Sequence, residues 1–307
     1  MNSFSINHLE VFNWAKPSQK NRFTETYTAF YHLDFPDTLH TIGSIDLANY
    51  TIAAQLFTPD NPSAVVIILH GYFDHGAMMR NCIRFCLDQG YAVALLDLPG
   101  HGLSSGKRAS IIDFAEYAQI LDQFANLIGE NLKLPIHFIG HSTGCSAALE
   151  WMYSPDLKAS DNLEKIVFIA PLVRCIGQNV FRFLSSIINH RLECVPAFYH
   201  PTTSNSQYEL FRRNDPLRPH KVPLSWVDAE IKWYLKMRNR GLLDARICIL
   251  QGTSDRVVDW KFNLRFLQKK ISIPEISLFE QARHQLHNER EDLRAQVFES
   301  MEKFFDR

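Results

Sequence analysis

Short apolar runs alternate along the chain with longer segments in which apolar residues recur at helical spacing. The clearest run is residues 64–69, AVVIIL, and continuous β-branched runs are typical of strands that are buried on both faces of a sheet. Two earlier runs are separated only by Ala48 and Asn49, which predicts a hairpin. The predicted strands are residues 39–47, 50–57, 64–69, 92–96, 136–139, 165–170, 246–251 and 275–279.

Helices are predicted in the segments between these strands. In the second of them, Phe114, Tyr117, Leu121 and Ile128 share one apolar face. Strands that alternate with helices favour a mostly parallel sheet. The predicted fold class is therefore α/β, with a mostly parallel eight-stranded sheet and helices on both of its faces. The predicted helices are residues 76–89, 111–128, 143–153 and 292–305.

One stretch interrupts this alternation. Residues 172–243 contain helical patches and a proline-rich link, but no apolar run of the kind that forms the sheet. We predict a core of residues 1–171 and 244–307, with residues 172–243 inserted between core strands as a helical lid. Ligands bind at the carboxyl ends of the strands in open α/β sheets, which favours a lid at this edge. The alternative is an extra helical layer that contacts no site.

A serine stands between two glycines where a predicted strand turns abruptly into a helix. The segment is Gly140-His141-Ser142-Thr143-Gly144. Glycine is needed on both sides of a serine when the turn is so tight that side chains there would meet neighbouring backbone. Such a turn exposes the hydroxyl at the carboxyl edge of the strand. The pattern predicts that Ser142 is a catalytic nucleophile, and the alternative is a helix N-cap flanked by turn glycines.

A serine hydroxyl is a weak nucleophile, so this hypothesis requires a base and a group that orients the base. Asp255 follows the seventh predicted strand directly, and His284 follows the eighth. We predict that His284 takes the proton of Ser142, and that Asp255 holds the imidazole in one tautomer and stabilises its cation. Asp259 is the alternative acid. His287 is the alternative base, but it lies farther past the strand.

Acyl transfer also needs donors for the charge that develops on the carbonyl oxygen. One predicted donor is the backbone N–H of Thr143, directly after the nucleophile. The second is the backbone N–H of Tyr72, in the glycine-containing loop of residues 70–76 after the first buried parallel strand. A further glycine-rich turn, residues 97–104, leaves a strand edge nearby, and Asp97 is predicted to brace the loop of Tyr72.

Composition excludes several classes of protein. The formal net charge of −1, without a basic run, argues against a nucleic-acid partner. No apolar stretch is long enough for a transmembrane helix, and the N-terminus lacks the pattern of a secretory signal, so a cytoplasmic location is expected. The scattered cysteines are expected to be packed thiols, and His70 and His75 lack a carboxylate at ligand spacing. No metal or other cofactor is predicted.

The predicted lid is basic, in contrast to the rest of the chain. Residues 172–243 contain eleven Lys and Arg against five Asp and Glu, a net charge of +6, whereas the remainder carries −7. This distribution predicts contact with phosphate head groups or with an anionic membrane as a peripheral partner. The alternative is a solvated surface whose arginines pair with the acidic core. Aromatic residues expected to line an acyl route or enter the interface are Phe181, Phe183, Trp226, Trp233 and Tyr234.

Several motifs together resemble one group of enzymes. They are His70-Gly71, the turn of residues 97–104, the serine pentapeptide, Gly252-x-x-Asp255 and His284-x-Leu-x-Asn-Glu289. Over about residues 40–305 the chain resembles the α/β-hydrolase superfamily, within it the monoacylglycerol lipase and bacterial lysophospholipase group of serine aminopeptidase S33-like proteins. The inserted stretch is similar to a segment of a bacterial lysophospholipase.

The resemblance implies the α/β-hydrolase fold and hydrolysis of carboxylic esters of lipids, lysophospholipid or monoacylglycerol, without a metal or organic cofactor. It implies Ser142, Asp255 and His284 as the catalytic residues. An acyltransferase or a thioesterase would use the same three residues. A relative that keeps the fold only for binding is a third class, but such proteins usually lack one of the three. The chain departs from the group at Cys145 and at Phe73-Asp74-His75.

Overall fold

The computed structural model of the chain describes residues 4–18, 21–177, 193–197 and 200–307. Its centre is an eight-stranded sheet with the order β1-β2-β4-β3-β5-β6-β9-β10. The hairpin of β1 and β2 is antiparallel and pairs antiparallel with β4, while all other pairings are parallel. The strands are β1 (Thr38–Leu47), β2 (Tyr50–Pro59), β3 (Val65–Leu69), β4 (Ala92–Leu96), β5 (Ile136–His141), β6 (Leu163–Ile169), β7 (Cys194–Pro196), β8 (Lys221–Pro223), β9 (Leu243–Gly252) and β10 (Ile271–Phe279).

Helices cover both faces of this sheet, which confirms the predicted fold class. One buried cluster contains apolar residues of α3, α4, α6 and α7, and the other contains those of α1, α2 and α8. The central strands β3 and β4 are buried along their whole length, as continuous apolar runs require. The helices are α1 (Arg22–Tyr31), α2 (Arg80–Asp88), α3 (Phe114–Leu132), α4 (Thr143–Tyr153), α5 (Ser206–Arg213), α6 (Leu224–Arg238), α7 (Trp260–Gln268) and α8 (Glu291–Phe305).

Several predicted boundaries are wrong, for local reasons. Helix α3 begins at residue 114 rather than 111, because Asp113 accepts from the N–H of Ala115 and forms a capping box with Glu116. The predicted helix 76–89 begins as a 3₁₀ turn (Gly76–Met79) before α2. Strand β10 begins four residues earlier than predicted, because it is a partly exposed edge strand that contains Pro274 and lacks a continuous apolar run. Helices α1 and α7 were not predicted.

The chain between β6 and β9 departs from the sheet, as the sequence pattern indicated. Its described part contains β7, α5, β8 and α6, and β7 pairs only with β8. Helix α6 packs on the core: the ring of Trp233 stacks on Phe114 of α3 at 5.3 Å, and Tyr234 contacts Phe262 and Phe266 of α7. We call residues 172–243 the insertion. Two predicted aromatic residues, Phe181 and Phe183, lie outside the described residues.

Candidate active site

The candidate nucleophile lies in the turn that joins β5 to α4. Ser142 has a φ of 51° and a ψ of −111°, a backbone conformation that residues with a side chain rarely adopt. Surrounding hydrogen bonds hold it there. The N–H of Ser142 donates to the carbonyl of Ile169 at 2.9 Å, and its carbonyl accepts from Cys145 at 3.0 Å and Leu172 at 3.2 Å. The turn therefore points the hydroxyl out at the carboxyl edge of the sheet.

The glycines beside Ser142 let α4 pack directly onto a neighbouring strand. A Cβ atom at Gly144 would overlap the carbonyl oxygen of Leu69 and lie 2.9 Å from that of His70. A Cβ atom at Gly140 would lie 3.1 Å from the carbonyl carbon of Gly144. These distances are shorter than ordinary van der Waals contact, so steric exclusion explains both glycines.

The structure brings the three predicted residues together in one chain of hydrogen bonds. His284 Nε2 lies 3.0 Å from Ser142 Oγ, and His284 Nδ1 lies 2.8 Å from Asp255 Oδ2. All three residues are buried, each with 5% of its surface exposed. The Ser142 side chain makes no capping hydrogen bond to α4, so the N-cap alternative does not describe this serine.

Asp255 is held as an anion by its surroundings. Its side chain accepts hydrogen bonds from the backbone N–H groups of Val257 at 2.8 Å and Val258 at 3.2 Å, and from Gln251 Nε2 at 3.1 Å. Burial raises the pKa of Asp255, but the neighbouring His284 and the N–H donors outweigh burial and hold the pKa below its ordinary value. A carboxylate at Nδ1 favours the tautomer in which Nε2 is free to accept the hydroxyl proton.

Neither alternative residue lies in the chain of hydrogen bonds. His287 is fully buried with its ring 4.8 Å from that of His141, and burial lowers its pKa to about 3. Within the described ranges, neither nitrogen of its ring has a hydrogen-bond partner. Asp259 caps α7 by accepting from the N–H of Phe262 at 3.3 Å, and it forms an ion pair with Arg174.

The loop after β3 lies against the turn of Ser142. A Cβ atom at Gly71 would lie 3.0 Å from Ser142 Cβ and 2.8 Å from His141 Nδ1, so only glycine fits this approach. The backbone N–H groups of Tyr72 and Thr143 have no acceptor among residues 4–18, 21–177, 193–197 and 200–307. The N–H of Thr143 is one of the unpaired donors at the start of α4.

Two contacts brace this loop from behind. His70 Nε2 accepts from the N–H of Leu98 at 2.9 Å while Nδ1 donates to the carbonyl of Gly71 at 2.8 Å. Burial lowers the pKa of His70 to about 3, which keeps the ring neutral and able to make both contacts. Asp97 accepts from the N–H of Gly76 at 2.7 Å, and so joins the glycine-rich turn to the loop as predicted from sequence.

Sequence reasoning missed Glu289 as a link between the insertion and the loop of the candidate base. This fully buried carboxylate accepts from the N–H of Arg283 at 2.7 Å, the N–H of Ser204 at 2.8 Å and the hydroxyl of Thr203 at 3.0 Å. Glu289 stands in one of the motifs that carry the family resemblance, and Thr203 and Ser204 stand in the inserted stretch. Only the three-dimensional structure shows that they are partners.

Sequence reasoning also missed two side chains that support the loop of the candidate base. His141 Nε2 donates to the carbonyl of His284 at 3.2 Å, and burial lowers the pKa of His141 well below its usual range. Gln285, which follows His284 in the sequence, donates from Nε2 to Asp74. Burial raises the pKa of Asp74, although nearby cations partly offset this effect. Polar contacts thus fix both flanks of the imidazole.

A cavity of about 340 Å³ opens directly above the hydroxyl of Ser142. Ser142 and His284 line its floor, and Trp226 stacks on Tyr72 at a centroid distance of 3.8 Å in its wall. The insertion supplies much of the lining. Apolar residues in the wall include Leu172, Ile176, Val222, Trp226, Val227 and Val258.

Neither a metal centre nor a membrane-spanning helix is found in the described part of the chain. It contains no group of three His, Cys, Asp or Glu side chains placed to hold a metal ion. None of its helices combines the length and apolar character that crossing a membrane requires. The six cysteines form no disulfide, and four of them are buried.

This fold defines a class of protein. The chain superposes on a soluble variant of monoglyceride lipase from Saccharomyces cerevisiae, solved with a substrate analog, with a TM-score of 0.73. The match covers 88% of this chain and 97% of that chain at 18% identity. At such identity the likeness shows the fold alone, which is that of an α/β-hydrolase.

Sequence comparison places the chain in a family within that class. It belongs to the family described as serine aminopeptidase, S33, whose model matches residues 60–291, and it is a carboxylic-ester hydrolase. It is 25% identical to a monoglyceride lipase homolog of monkeypox virus over 251 residues, which are 78% of this chain and 88% of the relative. It is 24% identical to phospholipase YtpA of Bacillus subtilis over 265 residues, which are 80% and 96% of the two chains.

A pair of glycine substitutions tests the packing of α4. Gly144→Ala should lower the free energy of unfolding by about 1–3 kcal/mol, because the new methyl group overlaps backbone that cannot move away easily. Gly129→Ala in α3 is the matched control. Nothing lies within 4 Å of a Cβ atom there, so it should raise the free energy of unfolding by up to about 1 kcal/mol. Urea unfolding measures both, and a Gly144→Ala protein as stable as wild type would contradict the steric account.

The low pKa of Asp255 has a consequence for stability. The folded state holds Asp255 as an anion at pH values where the unfolded state, with an ordinary pKa of about 3.9, begins to bind a proton. Its stabilising contribution is therefore present at neutral pH and is lost as the pH falls from about 5 toward the folded pKa. Asp255→Asn lacks this contribution. Urea unfolding between pH 7 and pH 4 should show the wild-type advantage shrinking, and a constant difference would contradict the lowered pKa.

Proposed function

We propose that the protein hydrolyses esters of monoacyl lipids, lysophospholipid or monoacylglycerol, through an acyl-enzyme on Ser142. The observation that carries this proposal is the chain of hydrogen bonds from Ser142 through His284 to Asp255 beneath the apolar-walled cavity. A serine hydroxyl becomes an effective nucleophile when a base takes its proton and a second group orients that base. Here His284 lies within hydrogen-bond distance of Ser142, and Asp255 lies within hydrogen-bond distance of His284.

In the first step, Ser142 Oγ attacks the ester carbonyl carbon while its proton moves to His284 Nε2. The imidazolium that forms is stabilised by Asp255 on the other nitrogen. The negative charge that develops on the carbonyl oxygen is met by the N–H groups of Tyr72 and Thr143. The tetrahedral intermediate then expels the alcohol, which takes the proton from His284, and leaves an acyl group on Ser142.

In the second step, water replaces the alcohol. His284 removes a proton from the water as it attacks the acyl carbonyl, and the same N–H groups stabilise the second intermediate. Its collapse releases the fatty acid and returns the proton to Ser142 Oγ. Both steps use one histidine at one nitrogen, so fixing the loop of His284 through Glu289 and His141 supports turnover as well as folding.

The cavity and the relatives support a lipid substrate. Apolar side chains of the insertion and of the loop after β9 form its wall, which suits an acyl chain. The relatives are named as a monoglyceride lipase homolog and a phospholipase. We therefore assign the acyl chain to this cavity and the insertion, residues 172–243, to the role of a lid over it.

Ser142→Ala tests the acyl-enzyme. The substitution should remove nearly all hydrolysis of para-nitrophenyl esters, monoacylglycerol and lysophospholipid, and with it labelling by a fluorophosphonate probe. Asp259→Asn is the control, because Asp259 pairs with Arg174 and not with the histidine. Urea unfolding verifies that both variants fold. Equal labelling of wild type and Ser142→Ala would overturn the mechanism.

We also propose that the basic insertion meets an anionic membrane surface. Three basic residues of the insertion, Arg174, Arg212 and Lys236, form ion pairs with carboxylates, so we assign the contact to other residues. Trp226 and Trp233 are buried, 5% and 2% exposed, so they anchor the insertion and do not enter a bilayer. Exposed cations that can face lipid head groups are Lys221, Lys232 and Arg238; Arg182 and Arg191 lie outside the described residues.

A charge-removal experiment tests this contact. Replacing Lys221, Lys232 and Arg238 together with Gln should weaken binding to anionic phospholipid vesicles about a hundredfold, because each basic residue near such a surface contributes about 1 kcal/mol. Binding should also weaken as salt rises. The matched control replaces with Gln three exposed lysines that lie outside the insertion, Lys133, Lys158 and Lys303. Equal weakening by both triple variants, or no vesicle binding at low salt, would contradict a role for the insertion.

A further inference from the structure

A second cavity, of about 390 Å³, lies beside the one that holds Ser142. Unlike the residues that line its neighbour, those that line this cavity are polar or cationic apart from Pro201. It is formed where the loops after β9 and β10 meet the start of α8 and the segment before α5. The residues that matter are His200, Ser204, Ser254, Arg256, Arg283 and Arg290.

Three arginines line this cavity, and no aspartate or glutamate lines it among the residues that the structure describes. Arg283 uses one N–H to hold the carbonyl of Thr203 at 2.9 Å, which fixes the side chain and leaves its other donors available. Arg290 contacts Asp292 at 2.8 Å in an exposed pair, which costs little to rearrange. The three arginines therefore give the lining of this cavity a net positive charge, and a hydrogen bond holds one of them, Arg283, in place.

The cationic cavity is joined to the candidate active site. Arg256 and His200 line both cavities. Ser254 and Arg256 flank Asp255 in sequence, and Arg283 precedes His284. The two loops that place Asp255 and His284 thus also place arginines of the cationic cavity. A substrate whose ester lies at Ser142 is therefore next to this cavity within the same opening.

We propose that this cationic cavity binds the phosphate of the substrate's head group, so that the preferred substrate is a lysophospholipid rather than a neutral monoacylglycerol. The planar fork of arginine matches the oxygens of a phosphate, and serine hydroxyls supply further donors. A glycerol head group carries no charge and gains nothing from three guanidinium groups. This inference rests on the proposed ester hydrolysis at Ser142.

Matched substrates test the assignment. Octanoyl esters of glycerol and of glycerophosphoglycerol share the acyl chain and differ in the phosphate, and both are used as monomers so that attraction to a charged lipid surface plays no part. The readout is the ratio of kcat/KM for the phosphate ester to kcat/KM for the neutral ester in one preparation. This ratio cancels any loss of folded enzyme. Wild type should favour the phosphate ester.

Arg290→Gln and Arg256→Gln should each lower the ratio about tenfold, which corresponds to about 1.4 kcal/mol for one lost charge-assisted contact. Arg265→Gln removes an exposed arginine of α7 that lines neither cavity, and it should leave the ratio unchanged. A ratio that does not change in Arg290→Gln and Arg256→Gln, or that falls equally in Arg265→Gln, would overturn the phosphate site. No hydrolysis of either ester by wild type would instead overturn the proposed function.

Inorganic phosphate separates a head-group site from a site for the free ion. If the cavity takes the head group, inorganic phosphate should raise KM for the phosphate ester competitively, with kcat unchanged, and leave the neutral ester unaffected. Arg290→Gln should abolish this inhibition. An equal effect of inorganic phosphate on both esters would mean that the cavity binds the free ion away from the substrate, and would contradict the assignment.

Discussion

The close approach of α4 to β3 is the contact on which the rest of the site depends. It requires glycine at 144, because the carbonyl of Leu69 occupies the space of a side chain. The approach forces Ser142 into a positive φ and lifts its hydroxyl from the sheet edge. Since β3 and β5 are neighbours, the same contact brings Gly71 against Ser142. Packing across two strands and a helix thus holds Ser142 in its strained backbone conformation.

Burial sets four histidines at this edge apart from the candidate base. It lowers the pKa of His70, His101 and His287 to about 3 and that of His141 far below its usual range, so these rings are neutral supports that hold backbone or fill space. His284 differs, because it contacts a carboxylate on one nitrogen and a hydroxyl on the other. These four supporting rings therefore add no positive charge beside the imidazole of His284.

The alternation of strands and helices and the ends of the strands could be predicted from the sequence. A buried strand appears in the sequence as a local apolar run, and the carboxyl ends of parallel strands lie at the same edge of the sheet. That logic alone is enough to expect Ser142, Asp255 and His284 near one another. It could not find the early part of β10, whose residues are partly exposed, nor helix α1. It also could not pair Glu289 with Thr203, since a hydrogen bond across 86 residues leaves no periodic trace.

That same carboxylate makes the contact between the insertion and the loop of His284 costly to separate. Separating Thr203 and Ser204 from Glu289 would leave this buried side chain with the N–H of Arg283 but without the donors that the insertion supplies, and losing hydrogen bonds in a buried position costs free energy. The segment of Thr203 and Ser204 is therefore tied to the loop of His284 through one buried side chain, so the position of the imidazole depends on contacts made some 80 residues earlier in the chain.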